Sequence, residues 1–346
     1  MAPSPGTLHL AAAIDGTGQY TAPYYVELAR LAESGMLDFI TLDDSFGPSG
    51  EEQGRPDALT VLARVAPDTG RIGLVPTVTT THTEPFHLPC AVATLDWMSR
   101  GRAGWTVSVS TAEAEAAEVA EGGARLWGGR EDDPEIRDLA GGLFVDRDKP
   151  HDVDFEGGHV RVRGPSLVPR SPQGHPVVAV DATDPVTWHT VARHADVAFI
   201  RATTPDAAGR IRDELRRRAE ESGRGRNALT VLAAVTVDLA DGEYAAGLAV
   251  HGGPLTAVDG GPPLYRGGPV GLAELIAGWH TAGAVDGFHI TPAGPPGDLE
   301  RFVNGTVALL QHRGLFRTFY PGTTLHEHLG RPRPANRYAL AREAAR

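Results

Sequence analysis

Ile72-Gly73-Leu74-Val75-Pro76-Thr77-Val78-Thr79-Thr80-Thr81 is a β-branched run rich in Val and Thr. After a Pro-containing break, Leu88-Pro89-Cys90-Ala91-Val92-Ala93-Thr94-Leu95-Asp96-Trp97-Met98 has the composition of a helix, and Ala103-Gly104-Trp105-Thr106-Val107-Ser108-Val109 is apolar again. Strand, helix and strand within forty residues is the pattern of a parallel sheet with crossover helices. Outward from this unit the pattern repeats. Upstream lie strands at Leu8–Ile14 and Phe39–Leu42, with helices at Tyr24–Ser34 and Ala58–Ala66. Downstream lie strands at Val177–Val180, Val197–Ile200, Leu229–Leu239 and Gly287–Thr291, with helices at Pro185–His194, Pro205–Ser222, Leu272–Ala282 and Leu299–Gln311. Eight short apolar strands, nearly all followed by helices, predict a closed (β/α)8 barrel, a TIM barrel, rather than an open doubly wound sheet. Ala112–Leu126 reads as a further helix. Residues 130–175 read as an excursion after strand four, with alternation at Val153, Phe155, Val160 and Val162 predicting a small hairpin. The tail, residues 313–346, carries Pro321, Pro332 and Pro334 and is expected to wrap the surface, so that residues 1–346 form one domain.

Charge and composition exclude several functions. The formal net charge is −12, and the one dense basic run, Arg210–Arg226, is interleaved with Asp213, Glu214, Glu220 and Glu221. That run is the solvated face of a helix, so no nucleic-acid partner is expected. With one cysteine, Cys90, no internal disulfide can form. Residues 1–6 have no basic or apolar leader, and no run approaches the roughly 20 apolar residues of a membrane span, so a cytoplasmic location and no membrane partner are expected. No Gly-x-Gly-x-x-Gly follows the first strand, and neither a Walker A loop nor a Gly-x-Ser-x-Gly elbow occurs.

In a (β/α)8 barrel the chemistry sits at the C-terminal ends of the strands. The polar residues predicted there are Asp15, Asp43, Asp44, Thr77–His82, Thr106, Ser108, Ser110, Asp181–Asp184, Arg201–Thr204, Asp238, His289 and Thr291. Adjacent residues on a strand point to opposite faces, so Asp43 and Asp44 cannot both face the mouth as a carboxylate pair. His82 and His87 are five apart with Pro85 between them, which is not the spacing of two metal ligands on one helix face, and no metal site is expected. His326-Glu327-His328 reads as solvated tail. Cys90, after Pro89 at the start of a helix, reads as a structural thiol rather than a reactive one.

Several stretches together resemble the luciferase-like flavin-dependent monooxygenases, in the nitrilotriacetate and dibenzothiophene-sulfone monooxygenase branch. They are Tyr24–Arg30 with Asp44-Ser45; Arg71–Val75 with Thr83–Leu88; Leu95–Trp105; Val162–Pro165 with Pro169–Gly174; Asp286–Phe288; and Arg313–Arg317. The resemblance implies a barrel that holds reduced FMN supplied by a separate flavin reductase, and oxidation of a bound small molecule with O2, in degradation or secondary metabolism. It further implies a dimer, either of like chains or with a homologue. By resemblance, Asp44 and Thr77 fall at flavin-contacting strand ends, and Thr106 falls where relatives usually carry Asn. The phosphate-binding turn aligns with Val180-Asp181-Ala182-Thr183-Asp184, which puts Ala182 and Asp184 at the cofactor. The sequence departs from the family in three places. Ser110 runs almost directly into the helix from Ala112, where relatives carry a long flavin-reaching segment. Asp184 stands where a hydroxyl is usual. Asp238–Gly268 is short. These departures leave two alternatives beside the oxygenase. One is a flavin-free enzyme using Asp15, Asp44, His82, Asp181, Asp184 and His289, with His82 or His289 as acid or base. The other is a non-catalytic partner subunit.

Overall fold

The computed structural model describes residues 6–15, 19–44, 54–79, 84–108, 113–132, 135–138, 143–145, 149–225, 227–239 and 253–344. Eight parallel strands close into a ring: β1 (His9–Ala13), β2 (Phe39–Leu42), β3 (Gly73–Thr79), β4 (Gly104–Ser108), β5 (Val177–Asp181), β6 (Val197–Ile200), β7 (Thr230–Asp238) and β8 (Gly287–Pro292). Each pairs with the next, and β8 pairs back onto β1, with His9 opposite Gly287 and Ala12 opposite Ile290. The closing pair needs Gly287, because a Cβ there would lie 1.8 Å from the His9 carbonyl oxygen. The predicted (β/α)8 barrel is therefore the observed fold.

The helices lie outside the ring: α1 (Ala22–Ser34), α2 (Ala58–Val65), α3 (His87–Ser99), α4 (Glu113–Gly128), α5 (Trp188–His194), α6 (Pro205–Glu221), α7 (Pro269–Thr281) and α8 (Gly297–Arg301). The last continues through a π-helical segment, Phe302–Val307, into Ala308–His312. Local chemistry starts them where the strands end. Asp57 accepts the Thr60 amide at 2.6 Å ahead of α2, and Thr204 accepts the Ala207 amide at 3.3 Å ahead of α6, where Pro205 follows at the first helical position. On α6 the buried positions are Ala208, Leu215 and Ala219, while Arg217 and Arg218 pair with Glu214 on the exposed face. In the excursion after β4, Val153–Glu156 pairs antiparallel with Arg161–Gly164 as a hairpin.

Two apolar layers arise from the alternation along each strand. Leu10, Ile40, Leu74, Trp105, Val178, Ile200 and Ile290 point out to the helices. Ala11, Phe39, Val75, Ala179, Phe199 and Leu232 point in and fill the barrel.

The tail differs from the expectation. Residues 325–329 plug the N-terminal end of the barrel: Leu325 and Leu329 belong to the inner cluster, and His326 and His328 are 3% and 1% exposed. Arg317 pairs at 2.8 Å with Asp38, which also accepts the Leu10 amide, and Arg331 pairs at 2.9 Å with Asp196. The stretch Leu95–Trp105 is the brace of the same end. The Asp96 carboxylate accepts the Ala103 amide at 2.9 Å, the Gln173 amide group at 2.6 Å and the Ser171 hydroxyl. The buried Arg102 donates to the Ile72, Ala66 and Thr69 carbonyls. Arg100 makes the turn between them in the left-handed region, at φ 61°.

Candidate active site at the barrel mouth

Carrying the alternation up each strand predicts what faces the mouth. After Ala11 come Ala13 and Asp15; after Phe39, Thr41 and Asp43; after Val75, Thr77. After Ala179 comes Asp181, and His289 precedes Thr291 on β8. These side chains, with Thr106, Phe199 and the chain at Val107, whose side chain belongs with Trp105 to the outer layer, line a cavity of about 220 Å³ at the C-terminal end of the barrel. Its polar part is three carboxylates, four threonines and one imidazole.

His289 Nε2 lies 2.8 Å from Thr41 Oγ1, and its ring centre is 4.7 Å from that of Phe199. Burial pulls its pKa down to about 4, against the opposing pull of Asp181, so the ring is uncharged at neutral pH. Asp15 behaves in the opposite sense. Burial raises its pKa to about 6, although the Asp43 amide donates to its Oδ1 at 2.8 Å. Asp43 pairs with Arg55 at 3.3 Å, and Asp181 with Arg201 at 3.4 Å. Thr106 is 9% exposed, and among the described residues its hydroxyl has no hydrogen-bond partner. An unpaired buried hydroxyl costs about 1–3 kcal/mol, and a ligand group within its reach would offset that cost.

The expected site residues divide. Thr77, Thr106 and His289 line the cavity. Asp44 does not: its carboxylate turns outward and accepts the Ala58 amide at 3.3 Å at the start of α2, and the acid facing the mouth from that strand is Asp43. Ala182 is buried on the outer face, 2% exposed. Asp184 is exposed and accepts the Val186 amide at 3.0 Å. His82 and Ser110 lie outside the described residues. Thr41 and Phe199 were not singled out from the sequence; the parity running from Phe39 and Ala179 is the signal that finds them. Cys90 is half-buried, and burial pushes its thiol pKa up, away from reactivity. Among the described residues no group of three or more His, Cys, Asp or Glu is placed to hold a metal ion, and no helix is long and apolar enough to cross a membrane.

Residues 6–304 match the family described as Luciferase-like monooxygenase. The chain belongs to this family. Among luciferase-like relatives, N-acetyl-S-(2-succino)cysteine monooxygenase of Bacillus subtilis is 30% identical over 407 residues, covering 91% of each chain. Nitrilotriacetate monooxygenase component A of Aminobacter aminovorans is 31% identical over 413 residues, again covering 91% of each. In the first comparison, 91% of 346 residues is about 315, so about 90 of the 407 positions have no residue here. The chain is thus a shortened luciferase-like barrel. Among solved structures, EDTA monooxygenase from Chelativorans sp. BNC1 superposes with a TM-score of 0.81 at 21% identity, over 95% of this chain and 99% of that one. That likeness is one of fold.

The residues fit a flavin unevenly. The inward hydroxyls of Thr77 and Thr106 and the apolar Ala13 and Phe199 suit a flat heteroaromatic ring. The turn after β5 does not suit a phosphate. Two of its amide donors are already taken by its own carboxylates: Thr183 N donates to Asp181 at 2.9 Å and Val186 N to Asp184 at 3.0 Å. A phosphate there would displace these bonds and meet two like charges.

Proposed function

We propose that this chain is a monooxygenase that oxidises a small organic substrate at the barrel mouth with O2 and a reduced flavin delivered by a separate reductase. The observation that carries the reading is the unpartnered Thr106 hydroxyl in the barrel interior, beside a cavity ringed by strand ends. Family membership supports the oxygenase chemistry, and a relative named as component A supports a separate reductase component. The flavin supplies the redox chemistry. Thr77 and Thr106 offer hydrogen bonds to its ring, while Phe199 excludes water from the ring face. His289, with its pKa pulled down to about 4, presents a neutral imidazole hydrogen-bonded to Thr41, which orients substrate by hydrogen bonding rather than carrying a proton near pH 7. The flavin phosphate does not sit in the Ala182–Asp184 turn.

The test is anaerobic titration with reduced riboflavin and reduced FMN, followed by mixing with oxygenated buffer. Binding of both in the micromolar range supports the reading, as does substrate-dependent oxygen uptake once a reductase and NADH are added. Absence of binding at millimolar flavin refutes it. The misfit of the phosphate turn favours one second reading, a flavin-free enzyme. In that case Asp15, largely ionised at neutral pH with its pKa of about 6, is the base, and Asp43, Asp181 and His289 are the other titratable groups at the cavity, since Asp44 and Asp184 do not line it.

A further inference from the structure

The mouth cavity has a charge pattern that the oxygenation itself does not use. Three carboxylates enter it, and two have their own cations, Asp43 with Arg55 and Asp181 with Arg201. Asp15 has none. Its Oδ1 accepts the Asp43 amide, its own amide lies close to the carboxylate, and Arg55 acts on it only from beyond ion-pair distance, so that among the described residues it has no cation in contact. The neighbouring imidazole, His289, is no counterion, because it is uncharged at neutral pH. A buried, unpaired carboxylate is costly and favours a cationic partner. The small side chain of Ala13, two residues before Asp15 on the same face, leaves space beside it. That the cavity receives a ligand at all is carried independently by Thr106, nine-tenths buried and inward-facing, with an unpartnered hydroxyl.

We propose that the mouth takes a substrate bearing a protonated amine, with the ammonium paired to Asp15 and the apolar remainder against Phe199. This names the substrate class of the oxygenase reading and rests on that reading for the chemistry after binding. Asp15, Asp43 and Asp181 together disfavour an anion of the same size. A hydrogen-bonded ion pair in a partly dry cavity is expected to favour the amine over an isosteric alcohol by about tenfold or more.

The experiment is calorimetric titration of the full chain at pH 8, without flavin, with benzylamine, benzyl alcohol and benzoate. The expected order is benzylamine at least about tenfold tighter than benzyl alcohol, with benzoate weakest. Asp15→Asn keeps an oxygen acceptor for the Asp43 amide and should reduce the preference for the amine to within about twofold, with benzyl alcohol unchanged. A second readout is the proton balance. The charged and titratable groups facing Asp15 are Asp43 and Arg55, Asp181 and His289, and Tyr24 and Tyr25 on α1. With the Asp15 pKa near 6, benzylamine binding at pH 6 should release about half a proton, and none at pH 8. That release should vanish in Asp15→Asn. Equal affinity for amine and alcohol overturns the proposal, as does a preference that survives Asp15→Asn or the absence of binding by all three at millimolar concentration. Amine binding without flavin-driven oxygen uptake would instead sink the oxygenase reading and leave the ligand class standing.

Discussion

Replacing Asp184 with Ser tests whether the turn after β5 rejects a phosphate. Asp184 caps the short helical turn at Pro185 by accepting the Val186 amide at 3.0 Å. Serine is also a good cap, so the turn should survive the change. At about 4 Å two like charges repel by about 4 kcal/mol at an effective dielectric of 20, and by about 1 kcal/mol in water. Asp184 is exposed, so the lower figure applies, which corresponds to about a fivefold change in affinity. Riboflavin is FMN without the phosphate, so the ratio of their affinities isolates that group. The wild-type chain should bind the two within about threefold. Asp184→Ser should tighten FMN about fivefold and leave riboflavin within twofold, and the gain should shrink as salt is raised. Quenching of flavin fluorescence reads both affinities. If the wild-type chain binds FMN more than tenfold tighter than riboflavin, and Asp184→Ser does not alter the ratio, the charge argument is refuted.

Three further outcomes are expected. Thr106→Val should leave the urea midpoint unchanged or raised, since it removes a hydroxyl with no partner, while weakening riboflavin binding by about fivefold or more; equal binding would remove Thr106 from the site. Leu325→Ala opens a void in the plug below the barrel and should cost about 2–5 kcal/mol in urea unfolding, and a loss under 1 kcal/mol would show the plug to be loosely seated. Acid should act in two stages. His175, His194, His289 and His328 are each held down to about 4 by burial, so their contribution is complete above pH 6.5 and is lost as pH falls toward 4. Asp15 and Asp96, raised to about 6, oppose this with two protons against four. Asp38, lowered to about 2 beside Arg317 and His9, stabilises above pH 3.8 and loses that contribution as pH falls to about 2. Urea midpoints measured from pH 8 to pH 3 should therefore stay level to 6.5 and then decline, and a rise between 6.5 and 4 would contradict the burial of these histidines.

The barrel was legible because its strands are buried on both faces and read as short apolar runs, such as Phe39–Leu42 and Val197–Ile200, whose observed limits match the expectation. Strand parity also separated Asp43 from Asp44, although it could not say which of them faced inward; the inner position of Phe39 settles that. The tail was misread for a physical reason. His326 and His328 look solvated because nothing local announces their burial, which depends on Arg317 reaching Asp38 and Arg331 reaching Asp196, contacts 279 and 135 residues apart in sequence. Phe199 was passed over because an inward aromatic at the mouth has the same local pattern as one in the core. The turn after β5 was flagged for the charge of Asp184; that Asp181 also occupies an amide there needed the three-dimensional arrangement.

The most direct measurement is a crystal structure of the chain with riboflavin. The flavin ring should lie inside the barrel mouth, against Phe199, with the Thr106 hydroxyl within hydrogen-bond distance of a ring nitrogen or oxygen. A ring bound anywhere else, or a ring at the mouth that leaves Thr106 without a partner, would contradict the flavin site placed at these strand ends.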